Sequence, residues 1–125
     1  MRKTSAHLRA EAEAEVTTLP VDTAIARHGG DGVVFVDLRE AGELQQDGRI
    51  PGAIEVPRGT LEFLIDQESP RGLPVFGEDK QFIFFCAGGG RSALATKTAQ
   101  DMGLARVAQI EGGFEAWKAA GGPVA

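Results

Sequence analysis

The sequence predicts an α/β fold: a mainly parallel central sheet with helices on both faces, plus an appended N-terminal helix. Three observations carry this reading. VVFVD (33–37), QFIFFC (81–86) and RVAQI (106–110) are short apolar runs rich in β-branched and aromatic residues. They lack polar alternation, as suits strands buried on both faces. The segments between them are long enough for the crossover helices that parallel strands require.

The elements follow in order. Thr4 to Val16 is rich in Ala and Glu, with Thr4 or Ser5 as a cap, and reads as an appended helix, loosely docked. Residues 1–16 are therefore set apart from a main domain at 17–125. Pro20 suits the first turn of a short helix reaching Arg27, where GGDG breaks it. After the strand at 33–37, REAGELQQ (39–46) makes a helix, and DGRIPGA turns into a brief strand at Ile54–Val56. TLEFLIDQ (60–67) is helical and SPRGLP (69–74) a loop. The strand at 81–86 leads to a helix over Arg91–Met102, a strand at 106–110, and a closing helix in GGFEAWKAAGG. Phe114 and Trp117, at helical spacing, belong to the core.

The totals narrow the function. A chain of 125 residues supports one domain with a true core. A net charge of −5, from 18 acidic and 13 basic residues, argues against the clustered cationic face that nucleic acid demands. No apolar run is long enough to span a bilayer, and the N-terminus lacks the apolar stretch of a signal peptide. One cysteine cannot form an internal disulfide, which places the chain in a reducing cytoplasm. His7, His28 and Cys86 do not make a metal-ligand cluster, and no cofactor is expected.

The chemistry concentrates in FIFFCAGGGRSA (82–93). Gly88, Gly89 and Gly90 accept φ > 0, so the chain after Cys86 can curl until successive N–H groups face inward as an anion-binding nest. A helix starting near Arg91 adds its positive end, and Arg91 a guanidinium. A thiol at the lip of that cradle is held as thiolate without a histidine base. Asp37 closes the neighbouring strand, at the edge where open α/β sheets bind ligands. Arg39 and Glu43, four residues apart, read as a scaffold pair.

Rival chemistries fail on residue counts. A Cys–His hydrolase needs a histidine beside the thiol, whereas His7 lies in the appended segment and His28 at a helix end, both read as solvated. Disulfide exchange of the CxxC type lacks its second cysteine. No GxxxxGK string is present, and the GxGxxA match at 88–93 has too little chain after it for a dinucleotide site, despite Glu111. Cysteine-dependent phosphatases carry one more residue between Cys and Arg than the four here, Ala87 to Gly90. The shorter loop suits one bound sulfur atom better than a tetrahedral phosphate.

Over residues 17–125 the chain resembles the rhodanese family in its single-domain form. CAGGGRS (86–92) is similar to the family's active loop, VDLREAGE (36–43) to its Asp-x-Arg-Glu signature, GRIPGAIEVPRGTLEF (48–63) to its Gly-His-Ile-Pro-Gly-Ala segment, and GGFEAWKAAGGPV (112–124) to its C-terminal signature. Arg49 stands where the family usually has histidine, and Ala87 where many members carry arginine, which lowers the positive charge at the mouth.

The resemblance implies a sulfurtransferase. Cys86 takes a sulfane sulfur from a donor such as thiosulfate, holds it as a persulfide, and passes it to cyanide or a thiol. Ala87, Gly88, Gly89, Gly90, Arg91 and Ser92 would line the substrate through loop N–H groups, Arg58 would attract an anionic donor, and Asp37 would brace the loop. The alternative is a persulfide carrier or a binding module in a sulfur relay between proteins.

Overall fold

In the computed structural model, which describes residues 2–125, five strands pair in parallel. They are β1 (Thr17–Leu19), β2 (Val33–Asp37), β3 (Ile54–Glu55), β4 (Gln81–Phe85) and β5 (Val107–Ile110), in the spatial order β1-β5-β4-β2-β3. The central pair is in register from Val33 opposite Gln81 to Asp37 opposite Phe85, so β2 and β4 end level. Cys86 and Leu38 thus leave the sheet side by side, at its C-terminal edge.

Six helices flank the sheet: α1 (Ser5–Glu15), α2 (Val21–Arg27), α3 (Ala41–Asp47), α4 (Leu61–Ile65), α5 (Gly90–Asp101) and α6 (Gly113–Ala119). Successive strand side chains point to opposite faces. Val36, Phe82 and Phe84 therefore bury against Leu61 and Ile65 of α4 and Ala95 and Ala99 of α5. Phe35, Ile83 and Phe85 bury on the other face, against Ala24 of α2 and Phe114 and Trp117 of α6. Both faces of β4 are covered, which is why its sequence shows no alternation.

Several elements differ from the sequence reading. β1 was not expected: TTL is three residues long with only Leu19 buried, and it exists because it pairs with β5, Thr17 opposite Ala108. A 3-10 turn at Pro74–Gly77 follows the loop and buries Phe76. α4 is shorter than TLEFLIDQ, with a 3-10 turn at Arg58–Thr60 taking its place at the start. Instead of docking loosely, α1 lies along α5. Thr4 caps α1 by accepting the His7 N–H at 3.1 Å, Ala12 is fully buried, and Gln100 Nε2 donates to the Glu15 carbonyl at 3.2 Å.

Phe84 is fully buried at the middle of β4. Phe84→Ala should lower unfolding free energy by about 3–5 kcal/mol, because it removes apolar contact and leaves a cavity between strand and helix. Urea denaturation followed at Trp117 measures it.

Candidate active site

The loop from Cys86 to Arg91 joins β4 to α5. Cys86 is 1% exposed, and its sulfur is surrounded by polar groups of its own loop. Gly89 N–H points at Sγ from 3.1 Å and Ser92 N–H from 3.4 Å. The thiol faces the Ser92 hydroxyl at 3.6 Å, and that hydroxyl lies 2.8 Å from Gln109 Oε1. Gln109 Nε2 in turn donates to Thr18 Oγ1 at 3.1 Å. The first turn of α5 supplies the Ser92 N–H, one of the donors that a helix start leaves without an intrahelical partner.

Of the three loop glycines only Gly89 has positive φ, at +112°, where the sequence allowed it for all three. That single left-handed residue turns the chain back over the sulfur and starts α5. Gly88 is exposed and Gly90 opens the helix.

The first two carbonyls of the loop face the other way. Cys86 C=O accepts the Phe114 N–H at 2.8 Å and Ala87 C=O accepts the Glu115 N–H at 3.0 Å, so the loop caps α6. Gly113 makes this possible: with φ +62°, a Cβ there would sit 2.6 Å from both carbonyl oxygens. The sequence reading took Gly112 and Gly113 as a sharp turn; the close approach of the active loop was not visible in it.

The charged residues are largely paired with one another. Asp37 and Arg39 form a fully buried pair, Nη2 to Oδ2 at 2.8 Å, and Arg39 also donates to the Gly48 carbonyl at 2.9 Å. All the hydrogen bonds of the Asp37 carboxylate come from Arg39, at the main chain, Nε and Nη2. Its connection to the loop runs through Arg39, whose guanidinium lies 4.1 Å from the centroid of the Phe114 ring. Glu43 does not pair with Arg39. It takes Arg91, Nη1 to Oε1 at 2.7 Å and Nη2 to Oε2 at 2.9 Å. That bidentate clasp holds the Glu43 carboxyl down at about 2, and Arg91 above its usual range. Arg58 is partly buried and donates to Glu62 at 2.9 Å. Among the described residues, no cluster of His, Cys, Asp and Glu could hold a metal ion.

Arg9, on α1, is a residue the sequence reading did not single out. Nothing in the local sequence marks it, since it reaches Gly89 and Gly90 only through the packing of α1 on α5.

Known proteins share the family and fold of this chain. A rhodanese-like domain model matches residues 21–120. The chain is 34% identical over 95 residues to the thiosulfate:glutathione sulfurtransferase of Saccharomyces cerevisiae, covering 72% of this chain and 68% of the relative. It is 29% identical over 94 residues to a sulfurtransferase of Allochromatium vinosum, covering 75% and 79%. A solved structure from Rhodopseudomonas palustris, described as a protein of unknown function and possible tyrosine phosphatase, superposes with a TM-score of 0.97 at 52% identity, covering 100% and 96%.

Gly113→Ala should disrupt the loop whatever its overall cost, because backbone oxygens cannot yield to a methyl. Thiol labelling of Cys86, 1% exposed in the native loop, should accelerate in the variant under native conditions. Glu43 has its folded-state pKa lowered from 4.5 to about 2, so its clasp on Arg91 stabilises the fold fully above about pH 4.5 and is lost as pH falls towards 2. Acid unfolding curves of the wild type and Glu43→Gln should differ most above that window and converge below it. Both partners are about a third exposed, so solvent screens the effect.

Proposed function

The chain belongs to the rhodanese-like family, and from that premise we propose that it is a sulfurtransferase working through a persulfide on Cys86. The observation that carries the reading is the pair of backbone N–H groups, from Gly89 and Ser92, aimed at Sγ. They stabilise negative charge on sulfur in both resting states of the cycle, thiolate and persulfide, without any histidine. In the first step the Cys86 thiolate attacks the outer sulfur of thiosulfate. The S–S bond of the donor breaks, its electron pair leaves with sulfite, and Cys86 carries the sulfur. In the second, a thiolate or cyanide attacks that sulfur, and the electron pair of the Sγ–S bond returns to Cys86. No redox cofactor enters.

Thiosulfate as donor and a thiol as acceptor are the first pair to try, since the yeast relative is named for thiosulfate and glutathione. A reducing compartment would keep the single thiol free for this work. Arg91 acts through Glu43, holding the loop to α3, and Asp37 through Arg39 and Phe114. Arg58 contributes charge only when it leaves Glu62. Phosphatase chemistry, suggested by the description of the Rhodopseudomonas palustris protein, lacks support here. The loop holds only four residues between Cys86 and Arg91, Ala87 to Gly90, one fewer than cysteine-dependent phosphatases carry.

Intact-mass spectrometry after incubation with thiosulfate tests the reading. Wild type should gain one sulfur atom, cyanide should remove it as thiocyanate, and Cys86→Ser should gain nothing. A gain unchanged in Cys86→Ser would overturn the assignment. No gain from thiosulfate or from an organic persulfide would leave a binding module without transfer.

A further inference from the structure

The Ser92 hydroxyl carries one proton, and among the described residues three acceptors stand around it. Gln109 Oε1 is nearest at 2.8 Å, the Gly89 carbonyl follows at 3.2 Å, and Cys86 Sγ lies at 3.6 Å. The two oxygens only accept, whereas sulfur donates as a thiol and accepts as a thiolate. The place of the Ser92 proton therefore depends on the ionisation of Cys86, and acts on it in return.

Gln109 decides the competition. It sits in β5, 3% exposed, and its Nε2 donates to Thr18 Oγ1 of β1 at 3.1 Å. That bond turns Oε1 towards Ser92. With the Ser92 proton on Oε1, the hydroxyl presents its lone pairs to Sγ. A thiol satisfies them by donating its S–H. A thiolate meets an acceptor there, unless the hydroxyl turns away from Gln109 and leaves a buried amide oxygen without a partner. The N–H groups of Gly89 and Ser92 favour the anion, and the chain from Thr18 through Gln109 to Ser92 opposes them.

Charged groups approach the loop from every element packed on it. Arg91 of α5 is clasped by Glu43 of α3, and Arg39 is paired with Asp37 at the end of β2. On α6, Glu115 Oε2 lies 3.5 Å from where a Cβ of Gly88 would stand. On α1, Arg9 is paired with Glu13, and Glu111 directly follows β5. An uncharged replacement of Gln109 leaves all of these in place, so it isolates the hydrogen bond.

We propose that Gln109, oriented by Thr18, is a positioning residue that withholds the Ser92 proton from Cys86 and so sets the pH range in which the thiolate forms. Its effect on turnover rests on the sulfurtransferase reading; its effect on ionisation does not. When the thiol gives its proton to solvent, the electron pair stays on Sγ, and the Ser92 O–H must swing from Oε1 to meet it.

Ultraviolet absorbance of the thiolate tests this cleanly, because the chain has one cysteine and no tyrosine. The difference from Cys86→Ser gives the pH midpoint of thiolate formation. Gln109→Met, similar in length, should lower that midpoint by about one unit. Thr18→Val, on an exposed part of the edge strand, should lower it less, since the released amide can turn Nε2 towards Ser92. In Ser92→Ala protein, Gln109→Met should change nothing. For sulfur loading from thiosulfate, the pH–rate profile of Gln109→Met should move down with the midpoint. Its plateau should fall roughly threefold, as a less basic thiolate is a weaker nucleophile. An unchanged or raised midpoint in Gln109→Met, the result expected were Nε2 facing Ser92, overturns the proposal. An unchanged midpoint in Thr18→Val, or an equal shift with and without the Ser92 hydroxyl, does the same. A lowered midpoint in protein that loads no sulfur supports the proposal and sinks the sulfurtransferase reading alone.

Discussion

The carbonyls of Cys86 and Ala87 are committed to the N-terminus of α6, and the chemistry of the loop depends on that commitment. A tight loop can point either its N–H groups or its carbonyls at its centre, and only the first arrangement favours an anionic sulfur. Two donors at the start of α6 would otherwise lack partners. By accepting them, the loop gives up carbonyls that would compete for the space around Sγ. The cost is steric, met by a glycine at 113 that brings the helix start against the loop backbone. Phe114, the first of those donors, is in turn held under the Arg39 guanidinium. The buried Asp37–Arg39 pair is thus part of the loop's support, at one remove.

This arrangement surrounds the sulfur with dipoles, and the cation beside it, Arg91, is clasped by Glu43. Arg91 and Glu43 neutralise each other, as do Arg39 and Asp37, and Ala87 adds no charge. Fixed N–H dipoles need no reorganisation when negative charge develops on Sγ. A mobile cation would have to follow the charge or favour one state. A bidentate clasp on Arg91 also fixes the first turn of α5, which carries the Ser92 N–H. The salt bridge therefore acts on geometry.

The buried strands were legible because residues covered on both faces must be apolar throughout, and the loop was legible because three glycines after a cysteine have little packing value. β1 was not, since TTL is stabilised by its partner β5 and carries no pattern of its own. Charge pairing was misread for a related reason. Helical spacing joins Arg39 to Glu43, but Arg39 precedes α3 and turns inward to Asp37, two residues back, leaving Glu43 for a residue 48 positions away. Local rules name candidate partners; burial decides among them. Arg9 and Gln109 come beside the loop through tertiary contacts alone.

Those contacts divide the surroundings of the loop between two spans of the chain. Cys86, the N–H groups aimed at its sulfur and the glycines at the start of α6 all lie within residues 21–120, the span shared with the family. Thr18 and Arg9 lie outside it, yet both line a cavity beside Gly89, and Thr18 reaches the sulfur through Gln109 and Ser92. β1 is an edge strand, and edges accept additions without repacking the interior. An edge strand and the helix before it can therefore be joined to the shared domain while the sulfur's own surroundings stay unchanged. The loop of Cys86 thus lies wholly within the shared span, and α1 and β1 add the groups packed beside it.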